Sequence, residues 1–289
     1  MSGKPVIEQL LLQDRVITGS AIGLILLIAV IYTILGVGMP MSAVQMTAMN
    51  AMQGLAGSSE GQAMHSMQTN GLMMPAMWTA TYAGLVFLMW WIMMIAMMLP
   101  SVASTVLLYT TLIRRGKQAV NAPKLALFFL TGYLAVWGLF SLLATLAQWF
   151  LELRGFVSAM DMALTSNIMG ATVLIIVGIY QFTPWKQSCL ERCRSPLQFL
   201  TDRRRDGPNG ALLMGIEHGA FCVGCCWCLM ALLLVGGVMN LYWIAGLMLF
   251  VLIEKLIRFG DKLSRLTGLL MAGAGIYLLV STYVSTAWK

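Results

Sequence analysis

Residues 218–253 read HGAFCVGCCWCLMALLLVGGVMNLYWIAGLMLFVLI and contain no Asp, Glu, Lys or Arg. A helix needs about 20 apolar residues to cross the hydrocarbon core of a bilayer. This run is long enough for two, and Gly236-Gly237 and Asn240 divide it. With its flanks it predicts helices at about 210–235 and 239–257. Further uncharged runs occupy 16–38, 61–113, 125–151, 162–185 and 266–288. The run 61–113 begins with Gln62, His65, Gln68 and Asn70, so its helix is placed at about 80–113. The expectation is an all-α, polytopic helical membrane protein with about seven spans: 16–38, 80–113, 124–151, 163–184, 210–235, 239–257 and 265–286. A transmembrane β-barrel would instead alternate apolar and polar residues in short segments.

Composition agrees with this reading. The 289 residues are 59% hydrophobic and only 10% charged, and the mean hydropathy is +0.82. An ordinary soluble domain is about 25% charged. Too few charges remain to cover a soluble globule, which excludes a soluble enzyme, a disordered chain and a nucleic-acid-binding module. The net charge of +7 has another origin. With the N-terminus inside, only Arg154 and Lys289 of the 18 basic residues fall on outer segments. Lys and Arg favour cytoplasmic loops, so the split predicts an inside N-terminus and an outside C-terminus. Arg203-Arg204-Arg205 then needs only a topological, lipid-headgroup role. The expected organisation is a cytoplasmic N-terminus (1–15), a retained signal-anchor helix (16–38), a Met-rich outer loop (39–79) and a six-helix membrane domain (80–286). The expected location is the bacterial inner (cytoplasmic) membrane.

The second signal is sulfur: 24 Met and 6 Cys against 2 His. On a helix, His218, Cys222, Cys225 and Cys226 recur at i, i+4, i+7 and i+8, which is one face. Met230 extends it by a turn. Cys and His at such spacing are metal ligands. The same face also admits a dithiol redox centre on Cys222-x-x-Cys225, or inert buried cysteines packing as small hydrophobes. Glu217 and His218 argue against the inert reading, because ionisable groups inside a membrane are costly. Glu254 lies at a matching depth on the next helix. It either orients the His218 ring or pairs with Lys255 at the interface. Met94, Met97, Met98 and Ser101 share a face of the second helix, where Pro100 frees a backbone carbonyl; they complete a sulfur site or form a packing stripe. After Tyr180, Gln181 and Pro184, Cys189 and Cys193 fall at i, i+4 near the inner surface, as a metal-transfer pair or as unpaired thiols. In the outer loop, Met64, His65 and Met67 have the close spacing of a methionine-type copper capture site, or belong to an amphipathic surface helix.

Taken together, these motifs resemble a bacterial and archaeal family of predicted metal-binding integral membrane proteins, a domain of unknown function. The matching segments are Trp91-x-x-Met94-x-Ala96-Met97-Met98-x-Pro100-Ser101, Gly178-x-Tyr180-Gln181-x-Thr183-Pro184-x-Lys186-x-x-Cys189, and above all His218-Gly219-x-x-Cys222-x-Gly224-Cys225-Cys226-Trp227. Met239-Asn240 and Glu254-Lys255 match as well. The resemblance covers roughly 78–280 and implies metal binding without naming a reaction.

The donor set favours Cu(I), to which Cys, His and Met are all acceptable; zinc or iron remain possible metals. The leading expectation is Cu(I) capture, transfer or delivery to a cuproenzyme. The alternatives are a membrane copper-dependent oxidoreductase, for which Tyr180, Gln181 and Glu217 would surround the metal, and a thiol–quinone oxidoreductase. The implied partners are the lipid bilayer, a metal ion, and a cuproenzyme or metallochaperone. Nucleic acid is not among them.

Overall fold

The computed structural model describes residues 6–36, 43–45, 47–48, 78–115, 119–158, 162–257 and 260–287. Ten helices are used here: α1 (Val6–Leu35), α2 (Ala80–Arg114), α3 (Ala122–Leu153), α4 (Asn167–Tyr180), α5 (Pro184–Arg194), α6 (Pro196–Asp202), α7 (Gly207–Ala231), α8 (Leu233–Gly236), α9 (Leu241–Leu256) and α10 (Gly260–Ala287). No strand occurs among the described residues. The chain is an all-α, polytopic helical protein.

Five helical stretches are long and apolar enough to cross a membrane: Val16–Leu35, Ala80–Arg114, Ala119–Leu153, Gly207–Gly236 and Gly260–Ser285. The α4–α5 pair makes a sixth if its two halves, bent by 65°, count as one span. The helix expected at 163–184 is shorter, Asn167–Tyr180, and a second helix, Pro184–Arg194, continues after the bend. Helix α4 stops at Tyr180, and the Thr183 hydroxyl caps α5 by accepting from the Lys186 N–H. Pro184 occupies the first turn of α5, where its missing N–H costs nothing. Proline thus opens a new helix here as well as closing the old one. Helix α9 has 16 residues, which at about 1.5 Å per residue reach about 24 Å. Its start is set by Asn240, whose side chain accepts from the Tyr242 N–H. The break before it is made by Gly237, at a φ of 87°.

The core lies where α2, α3 and α7 meet. Trp90, Met93, Met94, Met97 and Met98 of α2 are buried there with Phe129, Tyr133 and Trp137 of α3 and Met214 of α7. Helices α3 and α7 touch backbone to backbone. A Cβ added at Gly215 would lie 2.0 Å from the Phe129 carbonyl oxygen, and one at Gly132 would lie 2.3 Å from that of Leu212. Small residues at a membrane helix interface permit this approach. The faces turned outward are apolar: Leu24, Leu27 and Ile28 on α1, and Leu269, Leu270 and Tyr277 on α10, are all exposed. Such a surface is paid back only in an apolar solvent.

The α3–α7 contact gives a first prediction. Gly215→Ala forces the two backbones apart and costs on the order of 1–3 kcal/mol, as overpacking does. Gly246→Ala on α9, where an added Cβ meets nothing within 4 Å, leaves stability unchanged or slightly raised. Thermal unfolding of both variants in detergent measures the contrast, and equal melting temperatures would rule the tight contact out.

Candidate metal centre

The cysteine face of α7 points into the core. His218, Cys222, Cys225 and Cys226 are all buried. The thiols of Cys225 and Cys226 both donate to the Cys222 carbonyl oxygen, at 3.1 and 2.8 Å. These bonds fold both side chains back along the helix toward Cys222.

Other helices bring the remaining groups. From α2, the Met98 sulfur lies 4.0 Å from the Cys226 sulfur. From α3, the Tyr133 hydroxyl lies 3.0 Å from the Cys222 sulfur. From α9, the Lys255 ammonium donates to the Cys222 sulfur at 3.0 Å and to the Ser101 hydroxyl at 3.2 Å. From α5, the half-buried Cys193 packs against the same core beside Cys222 and Cys225. Helices α2 and α7 run in opposite directions here: Met98 meets Cys226, while Ser101 and Cys222 share one ammonium. Extending that register by one turn puts Met94 at the level of Met230.

Among the described residues, no three His, Cys, Asp or Glu side chains form a group that could hold a metal. The donors brought together are two thiols and a thioether (Cys222, Cys226 and Met98), with Cys193 beside them. This set suits a soft monovalent ion of low coordination number. It does not suit zinc, which takes four ligands in a tetrahedron at structural sites. Lys255 supplies a positive charge against the sulfur, and a thiolate in a low-dielectric interior needs such a partner.

One turn from Cys222, His218 lies among Phe199, Phe129 and Tyr133, with ring centroids 5.1, 5.9 and 6.0 Å away. Its Nδ1 is buried with no hydrogen-bond partner. A buried polar atom left unpaired is rare, and a ligand would satisfy it.

The other expected residues are placed as follows. Met94 and Met97 are buried in the same core. Glu217 turns away from the cysteine face and pairs with Arg205 at 2.8 Å and Arg203 at 3.9 Å. Glu254 lies apart from His218: its carboxylate pairs with Lys186 at 2.5 Å, both side chains being fully buried. The reason is rotational. Successive residues on a helix differ by about 100°, so Lys255 faces α7 and Glu254 faces the α4–α5 bend. Gln181 joins that pair by accepting from Lys186, and it also accepts from Ser264 at 3.0 Å. Tyr180 donates to the Gly224 carbonyl oxygen at 2.5 Å. A Cβ at Gly224 would lie 2.8 Å from the Cys189 sulfur, so this glycine seats α5 against α7. Met64, His65 and Met67 lie outside the described residues.

Two participants escape sequence reasoning. Tyr133 has no signature on an apolar helix. Lys255 reads as half of an interfacial pair with its neighbour. Cys193 is singled out with Cys189 by the i, i+4 spacing, but its place beside the cysteine face depends on the α4–α5 bend. The only signal available was Lys186, a charge immediately after an apolar run, which needs a buried partner if the chain turns inward there.

A model of the PpoB2 family, described as a copper chaperone, matches residues 87–278. That is well over half of the chain and includes every residue of the sulfur centre. The chain belongs to the PpoB2 copper chaperone family. No curated protein and no solved structure matches it. Membership in PpoB2 points to copper handling.

Proposed function

We propose that this protein binds Cu(I) between α2 and α7 and hands it to a copper-dependent enzyme at the bacterial inner membrane. The observation that carries this reading is the convergence of Cys222, Cys226 and Met98 from two helices in a chain of the copper chaperone family. Cys222 and Cys226 act as thiolate ligands and Met98 as a neutral third donor, with Cys225 in reserve. His218 offers its unpartnered ring nitrogen one turn away. Met94, Met97 and Met230 extend the sulfur path along the helices. Lys255 and Tyr133 hold the Cys222 sulfur in place.

Ligand charge explains why such a site serves transfer. Two thiolates and Cu(I) make a monoanion, which the Lys255 ammonium neutralises. Low coordination leaves room for an incoming thiol or thioether to displace one ligand at a time. The outer methionines Met64 and Met67, with His65, would collect the ion; the basic inner segments fix the orientation with the N-terminus inside.

The test is metal content. Protein purified in detergent and loaded with excess Cu(I), then desalted, should hold close to one copper per chain by plasma mass spectrometry. Met98→Leu conserves volume and should keep the fold while weakening copper retention about 10-fold or more, as loss of a supporting group at a metal site does. Zinc retained in place of copper would defeat the assignment.

A further inference from the structure

A cavity of about 300 Å³ opens at the junction of α5, α6 and α9, lined by Glu191, Arg194, Ser195, Lys255, Leu256 and Ile257. Lys255 lines the cavity and reaches the Cys222 sulfur with its ammonium. Cys193, the neighbour of Arg194, is half-buried and packs against the core beside Cys222 and Cys225. Arg194 is held at the rim by Asp261 at 2.9 Å and by the Ile257 carbonyl.

From these placements we infer that the cavity is a docking mouth for Cu(I) carried by a small anionic thiol, and that Cys193 is the residue that takes the ion from it or gives it back. This rests on the Cu(I) reading of the sulfur centre. The size argues for a small molecule, since about 300 Å³ lies at the lower end of ligand pockets and is too little for a protein loop. The donors argue for an anion: Arg194 and Lys255 line the mouth beside Glu191, with Asp261 holding one face of the Arg194 guanidinium, and a carboxylate-bearing thiol would meet both cations. The chemistry argues for ligand exchange. As a Cu–S bond to Cys193 forms, a Cu–S bond to the carrier breaks. The proton of the Cys193 thiol passes to the departing carrier thiolate. Copper stays Cu(I), so no oxidant or reductant is needed. A second exchange moves the ion from Cys193 to Cys222. With the N-terminus inside, the mouth faces the cytoplasm, where small thiols are abundant.

Ser195 lines the mouth without contacting the sulfurs, so Ser195→Trp closes it and leaves the ligands intact. The probe is glutathione-ligated Cu(I), followed by the thiolate-to-copper absorption of the protein in stopped flow. The expected result is loading slowed at least 10-fold in Ser195→Trp, with the same final copper content as the unaltered protein. Equal loading rates would overturn the proposal. A second measurement uses the unaltered protein: S-methylglutathione, which cannot bind copper through a thiol, should protect Cys193 from an anionic thiol reagent in a saturable way, read by peptide mass spectrometry. Absence of protection would overturn the mouth even if the variant failed to fold. If the unaltered protein takes up no Cu(I) from any donor, the underlying copper reading falls with it. Normal uptake of glutathione-ligated Cu(I) that neither manipulation affects would sink the mouth alone.

Discussion

Replacing Cys222 and Cys226 together by serine should abolish stoichiometric Cu(I) binding and leave the helical bundle intact. Each thiol removed is a soft anionic ligand, and serine presents a hard hydroxyl in the same volume, so the loss is chemical rather than steric. Removing even an outer partner of a metal ligand costs about 10–100-fold in affinity. Losing both thiolates should therefore exceed ~100-fold, leaving Met98, Cys225 and Cys193 without the central pair. The natural hydrogen bonds of the two sulfurs are ones that a hydroxyl can also make: Cys226 donates to the Cys222 carbonyl, and Cys222 meets Tyr133 and Lys255. Competition with a chromophoric Cu(I) chelator reads the affinity, and circular dichroism reads the fold. Undiminished affinity in the double variant would place the copper elsewhere.

The buried ion pair gives the second large effect, on stability. Lys186 and Glu254 are sealed from solvent; Gln181, just after α4, accepts from Lys186 and is itself held by Ser264 of α10. Lys186→Met leaves the Glu254 charge without its partner, and breaking a buried pair by removing one member costs about 3–5 kcal/mol. The double variant Lys186→Met/Glu254→Met removes both charges and should recover most of that loss, since apolar replacement of a whole buried pair is often neutral. Chemical unfolding of the single and double variants in detergent measures both. A single variant as stable as the unaltered protein, or a double variant no better than the single, would show that the pair does not tie α5 to α9. Because Lys255 adjoins Glu254, the single variant should also loosen copper retention.

The long elements were legible because their signal is thermodynamic. A run such as 218–253 has nowhere to go but an apolar solvent, and the break at Gly236-Gly237 follows from backbone freedom at Gly237. Likewise, the spacing of His218, Cys222 and Cys226 puts them on one face of any helix, and Met98 and Ser101 on one face of another. What spacing cannot supply is how helices are rotated against each other. Glu254 and Lys255 are adjacent in sequence, yet one turns to the α4–α5 bend and the other to Cys222. The bend itself was read as a helix end, because Pro184 stops one helix and starts the next equally well. Cys193 was legible as half of an i, i+4 thiol pair with Cys189, but that ambiguity hid its depth: it lies beside the sulfur centre because α5 folds back by 65°.

The most direct test of the account is X-ray absorption at the copper edge of protein loaded with one equivalent of Cu(I). The account predicts an edge of Cu(I) and a first shell of two or three sulfurs, losing sulfur in Cys226→Ser and in Met98→Leu. A first shell dominated by nitrogen or oxygen, or one unchanged in both variants, would contradict it.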